Sequence, residues 1–171
     1  MMTLITGGAK CGKSHLAERL LDDFTDNKYY IATMEPFGEE ASAAIARHRR
    51  IRAGKGFETK EKYTSLHELE LPGKSHILLE CIANLCANEM FGGSEICDPT
   101  DSIMRGTEHL KSRAETLVIV TNNVGSDGID YSKETNRYIE VMGRVNRLIA
   151  DISDNVIECV YGFPVILKGK L

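Results

Sequence analysis

No stretch of the 171-residue sequence approaches the roughly 20 consecutive apolar residues of a membrane span. The N-terminus also has no basic segment followed by an apolar signal core, because its first residues have the pattern of a β-strand. We therefore expect a cytoplasmic protein that does not span a membrane.

Cysteine is too sparse and too irregular in spacing to organise the fold. The sequence contains five cysteines, an odd number, and no two of them have C-x-x-C spacing. They are Cys11, Cys81, Cys86, Cys97 and Cys159. This pattern favours neither a disulfide framework nor a zinc site.

The sequence has no marked excess of charge of either sign. It contains 21 Lys and Arg against 25 Asp and Glu, for a formal net charge of −4. A protein that binds nucleic acid through bulk charge is typically basic, so we do not expect a nucleic-acid partner. Any site for an anion must then be local.

The composition and the order of the predicted elements indicate one α/β domain over residues 1–171. Apolar residues make up 42% of the chain and charged residues 27%, as in ordinary soluble domains. Runs with β-strand character alternate with stretches of helical apolar spacing, an order that implies parallel pairing with right-handed crossovers. The predicted strands cover residues 2–6, 29–33, 57–61, 76–80, 116–121, 155–161 and 165–168.

The most specific single motif follows the first predicted strand. Residues 7–14, Gly-Gly-Ala-Lys-Cys-Gly-Lys-Ser, match the phosphate-loop pattern G-x-x-x-x-G-K-[ST] and precede a stretch of helical spacing. Glycines let several backbone N–H groups converge on phosphate oxygens at the positive end of the next helix. Lys13 can then bind the outer phosphates, and the Ser14 hydroxyl can bind Mg²⁺. The alternative is a glycine turn without a ligand, and the correct flanking elements argue against it.

Polar groups collect where the predicted strands end. The glycine loop follows the first strand, Thr33 and Glu80 end two others, and residues 121–123 follow a fourth. In an open α/β sheet these carboxyl ends form the ligand crevice. Glu80 is then placed to bind Mg²⁺ as a Walker B carboxylate does, although aspartate is commoner there. An ordinary carboxylate facing solvent is the alternative.

His48 lies on the helix predicted to begin at Glu39, with arginines at positions 47, 49, 50 and 52. A neutral imidazole can attack the α-phosphorus of a nucleoside triphosphate, expel pyrophosphate and hold the nucleotidyl group as a phosphoramidate. Neighbouring arginines disfavour the imidazolium form and can neutralise phosphate charge. From the local sequence alone, the preferred interpretation is still a solvated basic helix face with a packed histidine.

Taken together, the motifs resemble the bifunctional adenosylcobinamide kinase/adenosylcobinamide-phosphate guanylyltransferases of cobalamin biosynthesis. The similarity covers almost the full length of the chain. The matching segments are T-G-G-A-K-C-G-K-S at 6–14, Y-I-A-T at 30–33, A-R-H-R-R-I-R at 46–52, L-L-E-C at 78–81, T-N-N-V-G at 121–125, G-R-V-N at 143–146 and G-F-P-V-I-L-K at 162–168. Many folds share a phosphate loop, but this ordered set is specific.

The resemblance implies a RecA-like P-loop domain, typically a homotrimer, that acts on a corrinoid. Such an enzyme phosphorylates adenosylcobinamide with ATP or GTP, then transfers GMP from GTP to the product through a guanylylated histidine, giving adenosylcobinamide-GDP. Matching the motifs makes His48 that histidine, which reverses the preference stated above. Lys13 would stabilise phosphate charge, and Ser14 and Glu80 would bind Mg²⁺. The implied nucleotide contacts are Gly7, Gly8, Ala9, Lys10, Cys11, Gly12, Lys13, Ser14, Ala32, Thr33, Met34, Arg49, Arg50, Ile51, Arg52, Glu61 and Glu80.

The sequence departs from the usual family pattern at several positions. Arg52 is not followed by the usual proline, and Phe57 stands where W-x-T-x-E has tryptophan, one residue further from His48 than usual. Asn123 replaces the glutamate of T-N-E-V-G, and Glu140 stands where aspartate is common. Because His48 and the glycine loop are intact, guanylyl transfer is better supported than the kinase step.

Two other functions stay open on sequence grounds. One is a P-loop kinase for a different small molecule, in which His48 is structural and only the γ-phosphate moves. The other is a nucleotide-binding module that has lost one or both activities, a hypothesis motivated by Asn123 and by the altered aromatic segment around Phe57.

Overall fold

The computed structural model describes residues 1–125 and 128–170, without the side chains at positions 40, 41, 44 and 51. In this part of the chain seven strands form one sheet: β1 Met2–Thr6, β2 Lys28–Ala32, β3 Glu58–Glu61, β4 Ser75–Glu80, β5 Ala114–Val120, β6 Asn155–Val160 and β7 Phe163–Lys168. The helices are α1 Lys13–Arg19, α2 Gly38–Arg52, α3 Ile82–Phe91, α4 Thr100–Arg113 and α5 Lys133–Ile152, with a 3₁₀ turn at Leu66–Glu68. Among these helices, none combines the length and the apolar composition needed to cross a bilayer.

The strands follow the order β3-β2-β4-β5-β1-β6-β7, and every neighbouring pair is parallel except β6 and β7. Parallel neighbours need crossover connections, which the helices between the strands provide. The predicted α/β fold class, a mostly parallel sheet flanked by helices, is therefore confirmed.

The last strand corrects one expectation. The alternation of strands and helices implied parallel pairing, but β7 runs antiparallel to β6. Only Tyr161 and Gly162 separate the two strands, with φ angles of 51° and 85°. Two consecutive positive φ angles match the twist of a tight hairpin, and so short a connection cannot return the chain to a parallel strand.

Helices cover both faces of the central strands. Residues 77–79 of β4 are all 0% exposed, although consecutive strand residues point to opposite faces. This is the continuous apolar pattern of a strand in a parallel sheet. On α5, Met142, Val145 and Ile149 of the predicted apolar stripe are buried. The core therefore lies on both sides of the sheet.

The register of the strands places the carboxyl ends of β1 to β5, where the sequence predicts polar groups, at the same level of the sheet. Ala32 pairs with both Glu61 and Glu80, Glu80 pairs with Val120, and Val120 pairs with Ile5. One row of residues thus crosses five strands, just before the glycine loop begins at residue 7. The expected collection of polar groups at one edge of the sheet is confirmed.

Candidate active site

The glycine loop between β1 and α1 has a conformation that depends on two of its glycines. Gly7 and Gly12 have φ angles of 143° and 102°, which L side chains rarely adopt. A Cβ atom at Gly7 would also lie 2.6 Å from the carbonyl oxygen of Cys159 on β6. The loop is therefore packed against the end of β6, and its path requires glycine at position 7.

Lys13 begins α1 and turns back over the loop. Its Nζ donates a hydrogen bond of 2.6 Å to the carbonyl oxygen of Gly8, and its side chain is largely buried. An ammonium group held at the mouth of the loop lies where the outer phosphates of a bound nucleotide are expected. The predicted phosphate-binding lysine is thus already positioned by the backbone.

Two hydroxyl groups bind the two carboxylate oxygens of Glu80 at the end of β4. Ser14 Oγ donates to Glu80 Oε1, and Tyr30 OH donates to Oε2 at 2.9 Å. Burial, reinforced by the negative charge of Glu80, raises the pKa of the Tyr30 hydroxyl well above its usual value, so Tyr30 remains a hydrogen-bond donor. The orientation of the Glu80 carboxylate is therefore set by its neighbours.

His48 lies on α2 with its ring facing this carboxylate. The Nδ1 atom is 4.0 Å from Glu80 Oε2, and the side chains of His48 and Glu80 are 23% and 11% exposed. The ring is therefore half-buried at the rim of the site and is not sealed in the hydrophobic core. The predicted nucleophile and the predicted metal ligand are neighbours.

Two arginines of α2 also point toward this region. The guanidinium carbon of Arg52 lies 3.3 Å from the centre of the Tyr30 ring, and Arg52 is 7% exposed. Its Nε and Nη1 atoms have no hydrogen-bond partner among the described residues. Arg49 forms an ion pair with Glu61. Hydrogen bonds from Tyr63 and then from Arg49 lower the pKa of Glu61.

The loop, the strand ends and α2 surround a cavity of about 270 Å³. Most of the predicted site residues line it: Ala9, Lys10, Lys13, Ser14, Ala32, Met34, His48, Arg49, Arg52, Glu61 and Glu80. The structure thus brings together, within one chain, groups that are up to 71 positions apart in the sequence, from Ala9 to Glu80.

The other predicted site residues lie elsewhere. Gly7, Gly8, Cys11 and Gly12 belong to the loop but are not among the residues that line the cavity. Thr33 is fully buried, and its hydroxyl exchanges two hydrogen bonds of 2.7 Å with the backbone of Cys81. Arg50 is exposed outside the cavity, and the side chain of Ile51 lies outside the described residues.

Several lining residues were not among the predicted contacts: Tyr30, Ile45, Arg47, Thr59, Cys81, Asn84, Val120 and Asn122. For Tyr30 a signal was present, because residues two apart on a strand share a face and Ala32 was already predicted to contact the nucleotide. For Asn84 the sequence offered none, since it lies inside the apolar helix α3.

Ser14 and Glu80 supply the kind of ligand that Mg²⁺ prefers. Both present oxygen atoms to the cavity and already contact each other. Among the described residues no group of three or more His, Cys, Asp or Glu side chains could hold a metal ion. This donor set suits an ion that keeps several waters and takes its remaining ligands from nucleotide phosphates.

Comparison with known proteins gives one family. A family model described as cobinamide kinase / cobinamide phosphate guanyltransferase matches residues 3–167. The bifunctional adenosylcobalamin biosynthesis protein CobU of Escherichia coli is 31% identical over 183 residues, covering 98% of this chain and 100% of that protein. The corresponding CobP of Pseudomonas aeruginosa is 28% identical over 176 residues, covering 99% of each chain.

Similar solved structures are more distant. A bacteriophage phi6 protein in complex with ADP has a TM-score of 0.46 and 12% identity, covering 95% of this chain and 52% of its own. A KaiC-like protein from Pyrococcus horikoshii has a TM-score of 0.48 and 14% identity, covering 92% of this chain and 71% of its own.

Proposed function

The chain belongs to the cobinamide kinase / cobinamide phosphate guanyltransferase family, and from that premise we propose which steps its residues perform. The overall reaction is phosphorylation of adenosylcobinamide, followed by transfer of GMP from GTP to adenosylcobinamide phosphate, which gives adenosylcobinamide-GDP. One observation carries the assignment of residues: Lys13 at the end of the glycine loop, Glu80 and His48 line a single cavity. Residues 1–171 form the single domain that carries both activities.

In the first half of guanylyl transfer, the loop amides and Lys13 hold the phosphates of GTP. An imidazole nitrogen of His48 attacks the α-phosphorus; a nitrogen–phosphorus bond forms as the bond to the pyrophosphate oxygen breaks. Arg52 and Arg49 line the same cavity and can neutralise charge on the phosphate that is attacked. Mg²⁺ bound near Ser14 and Glu80 would neutralise charge on the departing pyrophosphate.

In the second half, a phosphate oxygen of adenosylcobinamide phosphate attacks the same phosphorus and His48 leaves as free imidazole. The bond lost is the nitrogen–phosphorus bond, and the bond gained is the pyrophosphate linkage of the product. Holding GMP on His48 lets one cavity accept GTP first and the corrinoid second, because pyrophosphate has left in between.

The kinase step uses the same loop with ATP or GTP as the donor. Asn123, where the family commonly has glutamate, does not line the cavity; its backbone N–H donates to the carbonyl oxygen of Gly7 at 3.3 Å. The carboxylates among the lining residues are Glu61 and Glu80. Glu80 is the one beside the loop, so we assign to it the orientation of the acceptor hydroxyl as well as the metal.

The proposed assembly is a homotrimer in the cytoplasm, an expectation that comes from the family resemblance. The exposed apolar side chains of the β6–β7 hairpin support an interface there, since Tyr161 is 91%, Phe163 73% and Leu167 59% exposed. Sedimentation velocity measures the mass directly: a species of three chains is expected, and a monomer at all concentrations would contradict it.

Incubation with α-labelled GTP and Mg²⁺ tests the proposed chemistry. We expect acid-labile label on His48, none after His48→Ala, and full labelling after His15→Ala. His15 is a matched control because it is exposed, follows Ser14 and does not line the cavity. Label that survives His48→Ala would remove the assigned nucleophile. If only the γ-phosphate is transferred, the protein is a kinase that acts on another acceptor. If GTP binds but is not turned over, the protein is a nucleotide-binding module that has lost its chemistry.

A further inference from the structure

We propose that Tyr30 is a positioning residue that orients two side chains of this site at once: Glu80 through its hydroxyl group and Arg52 through its ring. The inference rests on the proposed function, because it assigns a role to Tyr30 in the same cavity. It goes beyond that function in predicting that the two roles of one side chain can be separated by mutation.

The Tyr30 hydroxyl supplies the second of the two hydrogen bonds that hold the Glu80 carboxylate. Ser14 donates to one carboxylate oxygen, and Tyr30 donates to the other at 2.9 Å. His48 Nδ1 lies 4.0 Å from the oxygen that Tyr30 binds. With both oxygens held, the carboxylate has one preferred rotation about its terminal bond. Without the Tyr30 hydroxyl, the oxygen facing His48 would lose its only short hydrogen bond among those found in the described residues.

The Tyr30 ring packs against the guanidinium group of Arg52 and orients it. Its guanidinium carbon lies 3.3 Å from the centre of the Tyr30 ring, and cations stack favourably on aromatic faces. The Nε and Nη1 atoms of Arg52 are buried and have no partner among the described residues. Buried guanidinium nitrogens are normally hydrogen-bonded, so these two point to an anionic ligand that completes the site. The ring holds the plane of the guanidinium in the orientation that this ligand requires.

Tyr30 is itself held firmly enough to act as a support. It is 4% exposed in the middle of β2, and the Phe57 ring packs against it edge-on with centroids 6.4 Å apart. Strand alternation places Tyr29 on the opposite face of β2, away from Ala32 and the cavity. Tyr29 is also buried, at 8% exposure, and has Lys60 over its ring, so it offers a matched control in the same strand.

The two contacts predict different defects. Tyr30→Phe keeps the ring and removes only the hydroxyl donor, so affinity for GTP without Mg²⁺ should stay within about 2-fold of wild type. The rate of His48 labelling at saturating GTP should fall about 10-fold, and half-saturation should require several-fold more Mg²⁺, because a hydrogen bond to a charged group is lost. Tyr30→Leu removes both contacts and should also weaken Mg²⁺-free GTP binding about 5-fold, because the cation–aromatic contact is lost.

The experiment combines calorimetric GTP binding, with chelator and with Mg²⁺, and the kcat and KM of His48 labelling. It is run on wild type, Tyr30→Phe, Tyr30→Leu and Tyr29→Phe, with thermal unfolding to confirm folding. Arg52→Lys keeps the charge but loses the planar fork, and should reproduce the affinity loss of Tyr30→Leu. It therefore replaces that variant if Tyr30→Leu does not fold.

The inference is overturned if Tyr30→Phe matches Tyr29→Phe in both labelling rate and Mg²⁺ requirement, or if neither Tyr30→Leu nor Arg52→Lys weakens Mg²⁺-free GTP binding. A failure of the proposed function has a different signature. In that case wild type itself carries no label on His48, while the chelator titrations still report whether Tyr30 supports Arg52.

Discussion

The two sides of the cavity are built in different ways. One side, the floor, consists of the glycine loop and the carboxyl ends of β1, β4 and β5, where Ile5, Leu79 and Val120 are 0%, 0% and 2% exposed. The other side, the wall, is the face of α2 that carries His48, Arg49 and Arg52. Of the α2 residues whose side chains are described, only Arg52 is buried.

The difference assigns separate tasks to the two sides. The floor takes its geometry from the core, so the groups that we propose to hold phosphates and metal are in place before a ligand arrives. The wall is held by individual side-chain contacts, namely Arg52 on Tyr30, Arg49 with Glu61, and His48 beside Glu80. We therefore expect floor mutations to affect nucleotide binding or folding. We expect wall mutations to affect mainly guanylyl transfer, with a smaller loss of GTP affinity at Arg52 and little effect on the fold.

The largest expected effect is a loss of GTP affinity, and it should separate a floor residue, Lys13, from a wall residue, His48. Lys13→Ala should lower both GTP affinity and His48 labelling by about 100-fold, near the upper end of the loss for a hydrogen bond to a charged group. His48→Ala should abolish labelling and change GTP affinity by no more than about 2-fold, because imidazole acts in the transfer step. Calorimetry and labelling on the two variants measure both quantities. Equal losses of GTP affinity would mean that floor and wall do not have separate tasks.

A second prediction concerns folding. Gly7→Ala combines a φ of 143° with a contact at 2.6 Å to a backbone oxygen, and should lower the free energy of unfolding by about 3 kcal/mol. Gly54→Ala, just after α2, has a φ of 84° with nothing within 4 Å, and should cost about 1 kcal/mol. Urea denaturation of both variants measures the difference. Similar costs would show that the loop is no more tightly packed than the end of α2.

The smallest expected effect is a change in stability when the ion pair between Arg49 of the wall and Glu61 is removed. Arg49 and Glu61 are 59% and 40% exposed, so Glu61→Gln should lower the free energy of unfolding by less than about 1 kcal/mol. Because the pKa of Glu61 is lowered in the folded protein, its contribution is present above the ordinary glutamate pKa and is lost as the pH falls below it. Denaturation at neutral and acidic pH should show the variant and wild type converging in acid. A difference that grows on acidification would contradict this sign.

The floor could be predicted almost completely from local patterns. A strand, a glycine-rich loop and a helix are contiguous in sequence, and β1 has its predicted bounds of Met2–Thr6. Glu80 was recognisable because an apolar run ended in a carboxylate, and parallel strands bring such ends to one edge. These signals are strong because each depends on backbone geometry that a few adjacent residues determine.

The wall could not be predicted in the same way. Helical spacing placed His48 and its arginines on a helix, but nothing local says against which strand ends that helix lies. Motif resemblance, rather than spacing, predicted His48 as the nucleophile. Strand alternation with Ala32 could have placed Tyr30 on the cavity face, but its contact with Glu80 was not predictable, because only the register of β2 with β4 brings the Tyr30 hydroxyl to Glu80. The antiparallel β7 was missed because two turn residues, Tyr161 and Gly162, determine its direction.

The most direct test of this account is whether one subunit supplies both the glycine loop and the His48 that accepts the label. Lys13→Ala and His48→Ala chains with different affinity tags are co-expressed, purified through both tags, and incubated with α-labelled GTP and Mg²⁺. A cavity formed within one chain predicts no more label than either variant shows alone, since no subunit carries both groups. Label near the wild-type level on His48 of the Lys13→Ala chain would contradict this, because the loop of a neighbouring subunit would then be serving it.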